Sequence, residues 1–267
     1  MAFTTTLALL LTLAGAAPPA APPDLSADEI LERNFAAVGG RAKIRALATM
    51  RFEGIDRSAG QSARVKVFWK RPDRIRIEVP EQGLDKVQAF DGENAWSIYP
   101  GLAGFPAERM VGVGRDTLRD QADLVEGPTF DYAAKGNRIE LVGKEKLAEG
   151  EAWLLQLTLA SGEVRMLWFD CASFLQVREE RTQTVGERVL TIETTMADFR
   201  PVGGVLFAHR VETHFRSAGG SAAASHGETS VFTIEEITAN IELPDSLFAL
   251  PAATPAPGAA TPSPSEP

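Results

Sequence analysis

The residues best suited to chemistry are few, and their spacing works against it. The chain has three histidines, His209, His214 and His226. His209 and His214 are five apart on one predicted strand, so their side chains leave opposite faces and cannot share a metal ion. Each reads as an ordinary strand or loop residue. Cys171 is the sole cysteine, which rules out an intrachain disulfide. Beside Leu167, Phe169 and Phe174 it reads as an inert, packed thiol. No serine sits in a strand-to-helix elbow. Val111-Gly112-Val113-Gly114 lacks the strand-turn-helix frame that phosphate binding needs. The pairs Glu179-Glu180 and Glu235-Glu236 point to opposite sides of their strands, unlike the facing carboxylates of a glycosidase. These patterns describe a protein that is not an enzyme, with no cofactor and no metal site.

What the elements must position instead is apolar surface. Ser26-Ala27-Asp28-Glu29 is a capping box, followed by Ile30, Leu31, Phe35 and Val38 at helical spacing and by Gly39-Gly40 as a stop. A second short helical turn is expected over 41–47. From Thr49 the period drops to two. Val65, Val67 and Trp69 share one face, as do Ile75, Ile77 and Val79. Arg64 and Lys66 on the alternate positions of the first run, and Arg74, Arg76 and Glu78 on those of the second, give the antiparallel, one-face-wet signature. Asp91-Gly92, Ser161-Gly162 and Gly203-Gly204 read as hairpin turns. Residues 106–126 read as one or two short helices interrupting the sheet. About eleven strands follow from this punctuation, enough to force a twisted sheet to curl.

The ends look dispensable to that fold. Leu7 to Ala14 is an apolar run too short to span a bilayer, followed by the small-x-small Ala14-Gly15-Ala16. No Lys or Arg precedes it. Residues 1–16 are read as an export signal, 17–24 as a Pro/Ala-rich linker, 25–250 as one domain and 251–267 as a disordered tail. No cysteine stands at the cleavage site, so no lipid anchor is expected. A net charge of −9 in 267 residues argues against nucleic acid as a partner.

Lys70-Arg71-Pro72 closes one strand. Asp91-Gly92, Trp96 and Tyr99-Pro100 follow, and then a C-terminal Asp245-Ser246-Leu247-Phe248-Ala249-Leu250-Pro251. In order and spacing, over residues 28–251, this series resembles the LolA-like periplasmic carriers that sort lipoproteins to the outer membrane. The resemblance implies a mainly β (α+β) fold, an open antiparallel half-barrel whose concave apolar face lies under a helical lid. It implies a monomeric periplasmic carrier of lipoprotein acyl chains or other lipid. Its partners would be an inner-membrane release complex and an outer-membrane acceptor. It also implies a lid latch at Arg71, a strand-end arginine that ties lid to sheet in the empty state. Where that family has a functional aromatic residue, this chain has Ile75. Together with the periodicity, the candidate acyl-lining residues are Val67, Trp69, Ile75, Ile77, Phe90, Trp96, Ile98, Met166 and Trp168. The alternative role is a lipid- or lipoprotein-sensing interaction module on the same half-barrel.

Overall fold

The computed structural model describes residues 25–81, 84–99, 107–185, 188–218 and 228–251. The expected export signal, the Pro/Ala-rich linker, His226 and all but the first residue of the expected tail lie outside these residues.

Helix α1 (Ala27–Ala37) begins where the capping box predicts. The Ser26 hydroxyl accepts from the Glu29 amide, and the Glu29 carboxylate accepts from the Ser26 amide at 2.7 Å. Its stop is specific. Gly39 has φ +124°, and a Cβ there would stand 2.2 Å from the Gly204 carbonyl oxygen, so only glycine lets this turn rest on the sheet. Helix α2 (Arg41–Ala46) follows at once.

The strands are β1 (Thr49–Ser58), β2 (Gln61–Lys70), β3 (Arg74–Glu81), β4 (Leu84–Phe90), β5 (Ala95–Ile98) and β6 (Glu108–Met110). Helix α3 (Gly112–Ala122) intervenes. Then come β7 (Arg138–Lys146), β8 (Glu151–Thr158), β9 (Val164–Asp170), β10 (Gln176–Val185), β11 (Arg188–Val202), β12 (Val205–Ala218) and β13 (Glu228–Ala239). A short 3-10 turn, Asp245–Leu247, closes the described chain. Among the described residues, the stretch read as purely helical thus holds a three-residue strand before one helix, and the sheet has thirteen strands where about eleven were expected. A three-residue strand carries too little alternation to register as period two.

All thirteen strands form one antiparallel sheet in the order β6-β5-β4-β3-β2-β1-β13-β12-β11-β10-β9-β8-β7. Sequential hairpins build each arm, and β1 joins β13 to connect the arms at the centre. β6 and β7 stand at the two edges, so the sheet is open: a half-barrel. The register assigns every side chain to a face, because directly paired residues share one. Trp69 lies opposite both Met50 and Ile75, and Ile75 opposite Phe90. On the other arm Leu155 pairs with Leu167, and Trp153 with Phe169. All of these pack with α1, α2 or α3 and define the inner face.

The helices and the segment 123–136 form one cap over that face. Phe35 of α1 meets Phe130 edge-on at 5.3 Å. Arg41 lies over both rings while its guanidinium reaches Glu32 and Asp131. Hydrogen bonding from Arg45, aided by Arg41, holds the Asp131 carboxyl below the usual carboxylate range.

The outer face of β2–β5 has its own cover. Phe248 is fully buried, and its carbonyl accepts from the Trp96 indole at 2.8 Å. Arg76 donates to the Leu247 carbonyl, and Lys70 to the Leu243 carbonyl and to Asp245. The C-terminal motif is therefore a strap across the outside of the sheet.

Candidate functional site

The strand-end residues fasten the cap to the sheet. Arg71 follows β2 directly, and its guanidinium makes three bonds with three different nitrogens. Nε donates to the Leu47 carbonyl at 2.6 Å, Nη2 to the Ile44 carbonyl at 2.8 Å, and Nη1 to Glu126 at 2.7 Å. Both carbonyls lie at the C-terminal end of α2, where positive charge is favoured, and the Ile44 carbonyl also accepts from the Leu47 amide. Glu126 lies in the segment after α3, so one side chain joins the sheet to two parts of the cap. Trp69 does similar work, its indole donating to the Ala122 carbonyl at 2.6 Å in a buried setting. Further anchors are Asn34 to the Phe174 carbonyl and the Leu206 amide to the Val38 carbonyl.

Beneath the cap lies a pocket of about 220 Å³, between α1, the segment 124–129 and the inner face of β9–β12. That is below the roughly 300–1,000 Å³ of ordinary small-molecule sites. With the cap down, there is no room here for a long acyl chain.

Away from the cap the same face is only half covered. Val65 and Ile77 on one arm, and Val211, Phe215 and Phe232 near the centre, are partly exposed apolar residues, as is Met196, which also lines the capped pocket. The register places them on the inner face: Met196 pairs with Val211, Val211 with Phe232, and Ile192 with Phe215. Gly54 belongs to this floor. A Cβ there would lie 2.3 Å from the Thr233 carbonyl oxygen, where a bulge brings β13 close to β1. The result is an apolar groove continuous with the capped region.

The candidate lining residues divide between the two faces. Val67, Trp69, Ile75, Ile77 and Phe90 share the inner face. Of these, Trp69, Ile75 and Phe90 are sealed, the latter two under Leu118 and Ala122 of α3, whereas Val67 and Ile77 remain partly exposed. Trp96, Ile98, Met166 and Trp168 are on the outer face, which corrects their expected placement. Trp96 pairs with Ala89 and Ile98 with Val87. Those partners alternate with inward-facing Phe90, and Trp96 is covered by the strap. Met166 and Trp168 pair with Gln156 and Leu154, alternating with inward-facing Leu155 and Leu167. The Trp168 indole donates to Glu145, and Arg178 lies over its ring at 4.4 Å. Period two identifies strands but not which parity faces the cap. β5 and β9 are buried on both sides, so apolarity alone cannot choose.

The groove floor from β11–β13 was missed. Its signal is present in Arg210-Val211-Glu212-Thr213-His214-Phe215-Arg216, where charge and bulk alternate strictly. Among the histidines, His209 is buried, with Nδ1 3.0 Å from the Ile234 carbonyl, and His214 faces Thr229 on the other side of the sheet. Among the described residues no group of His, Cys, Asp or Glu is placed to hold a metal ion. Burial pushes the Cys171 thiol above its ordinary range. No helix among the described residues is long and apolar enough to cross a membrane.

No family model matches this sequence, and no curated protein matches it. Solved structures do match in fold. A LolA superfamily protein from Nitrosomonas europaea aligns with TM-score 0.56 and 18% identity, covering 84% of this chain and 98% of that one. A DUF1329 family protein from Desulfovibrio piger aligns with TM-score 0.57 and 11% identity, over 83% and 96% of the two chains. An outer membrane lipoprotein-sorting protein domain from Vibrio parahaemolyticus gives TM-score 0.50 and 14% identity, over 82% and 94%. At such identities the likeness concerns architecture, and on that level the open thirteen-stranded sheet with its helical cap is a LolA-like half-barrel.

Proposed function

We propose that this protein is a periplasmic carrier that binds acyl chains of lipoproteins or other lipids between its cap and the inner face of its sheet. It delivers them toward the outer membrane without covalent chemistry. The observation that carries the reading is the combination at Arg71: an apolar face shut by a cap that one polar side chain fastens to the sheet.

Magnitudes favour a cap that yields to cargo. Burying a methylene gives about 0.8 kcal/mol, so a long acyl chain offers roughly 10 kcal/mol before ordering costs. The half-exposed bonds of Arg71 are worth about 2–3 kcal/mol together. A chain entering the groove can therefore displace the latch, and re-forming the latch opposes retention. An acceptor then needs to supply only part of the free energy of transfer. Acceptance from an inner-membrane complex and donation to an outer-membrane acceptor fit this balance.

The test is uptake of a fluorescent fatty-acid probe by the purified protein and its displacement by a diacylated lipopeptide. Saturable uptake that the lipopeptide reverses is expected. Absence of displaceable binding overturns the proposal, and capture of a regulatory protein in place of lipid would favour a sensing module on the same fold.

A further inference from the structure

The inner face is not apolar throughout. Arg165 of β9 and Arg181 of β10 are directly paired across the two strands, and Arg181 is also paired with Ile192 of β11. Because Ile192 pairs in turn with Phe215, both arginines lie in one row with the groove floor, on the same face. Like charges directly opposite each other in an antiparallel pair are destabilising, so this placement calls for compensation.

Compensation is present for one arginine and thin for the other. The Arg165 Nε donates to Glu163 at 2.8 Å, with Glu179 at 3.5 Å and Asp120 of α3 at 3.8 Å from its other nitrogens. Among the described residues the closest carboxylate to Arg181 is that same Glu163, at 3.9 Å, and the Arg181 guanidinium makes no hydrogen bond. Glu163 is committed to Arg165. Five donors in a planar fork are thus left at the edge of an apolar groove, with the side chain only 26% exposed. The hydroxyls of Thr194 and Thr213, 3.4 Å apart, are in the adjacent row of the same face.

We infer that this flank receives the anionic headgroup of the cargo, a carboxylate or a phosphate, on Arg181, while the hydrocarbon lies over Ile192, Phe215 and Val211. A planar guanidinium suits either anion, since both present paired oxygens to its fork. The inference rests on the carrier reading and narrows it: the cargo is an anionic amphiphile, and the charged arm of the half-barrel orients it.

Displacement of the fluorescent probe by three monoacyl competitors of equal chain length tests this: a fatty acid, its methyl ester, and a lysophospholipid whose headgroup is a phosphate monoester. The wild-type protein should bind at least one anionic competitor about five- to tenfold more tightly than the ester. The anion preferred identifies the headgroup source. In Arg181→Gln the preference should fall below about twofold with ester affinity unchanged, and Arg181→Lys should keep part of it. Equal affinity of acid, phosphate and ester in the wild type overturns the headgroup site while leaving the carrier reading intact. An undiminished preference in Arg181→Gln does the same. Failure of all three to bind overturns both.

Discussion

Replacing Arg71 with leucine removes the latch and little else. The guanidinium bonds lost are those to the Leu47 and Ile44 carbonyls and to Glu126. A buried hydrogen bond to a charged group contributes about 1.5–3 kcal/mol. The side chains of Arg71 and Glu126 are 27% and 22% exposed, so the ion pair counts for about 1 kcal/mol or less, and the two carbonyl bonds for about 1 kcal/mol each. The sum, about 2–3 kcal/mol, corresponds to a rise of roughly 30- to 140-fold in the open population of α2, at about 1.4 kcal/mol per tenfold. Ile44 and Leu47 remain buried by apolar contact, so the domain should still fold. Hydrogen exchange reads the effect directly at the Lys43, Ile44 and Leu47 amides, whose bonds lie within α2 and at its ends. Their protection should fall by that factor while strands β11–β13 are unchanged, and a bound fatty-acid probe should dissociate more slowly. Protection of those amides within twofold of wild type would refute the assignment of Arg71 as the fastening.

Other substitutions separate the parts. Trp69→Phe deletes the buried bond to the Ala122 carbonyl and should lower stability by about 1–2 kcal/mol in urea, with faster exchange at the C-terminal end of α3. Phe248→Ala empties a fully buried position under the strap. It should cost about 3–5 kcal/mol in the same assay yet leave probe affinity within twofold, since the strap lies outside the sheet; a parallel loss of affinity would bring the outer face into binding. Asp245 is held down to about 2 by hydrogen bonds from Lys70 and then Arg74. A carboxyl with a depressed folded-state pKa contributes stability above its unfolded value, and that contribution disappears as pH falls from about 4 through about 2. Asp245→Asn should therefore flatten this part of the acid-unfolding curve and leave neutral-pH cooperativity intact.

Much of this architecture can be read from local pattern. The Ser26–Glu29 box locates α1, and the alternation in 64–69 and 74–79 locates β2 and β3 with the correct parity. Their off-face residues are charged apart from Phe68, so only one parity can turn inward. Where both parities are apolar the pattern is silent. Met166-Leu167-Trp168-Phe169 is a continuous apolar run, and only the pairing of Leu167 with Leu155 and Phe169 with Trp153 decides that Trp168 faces out. Trp96 and Ile98 share one parity of the strand 95–99, which reads as an apolar face without saying which side it turns to. The strap that covers Trp96 lies about 150 residues further along the chain, a long-range contact that no periodicity encodes. Only the family resemblance points to Arg71. Its bonds reach back to α2 and forward to Glu126, both outside its own strand.

The central claim is that hydrocarbon enters between cap and inner face. The four tryptophans report on it because they divide by face: Trp69 and Trp153 inside, Trp96 and Trp168 outside. A brominated fatty acid quenches indole fluorescence only at close range. In a Trp96→Phe, Trp168→Phe protein, titration should quench the remaining emission saturably. In a Trp69→Phe, Trp153→Phe protein it should leave emission unchanged. Quenching confined to the second protein, or absent from both while each remains folded, would contradict the account.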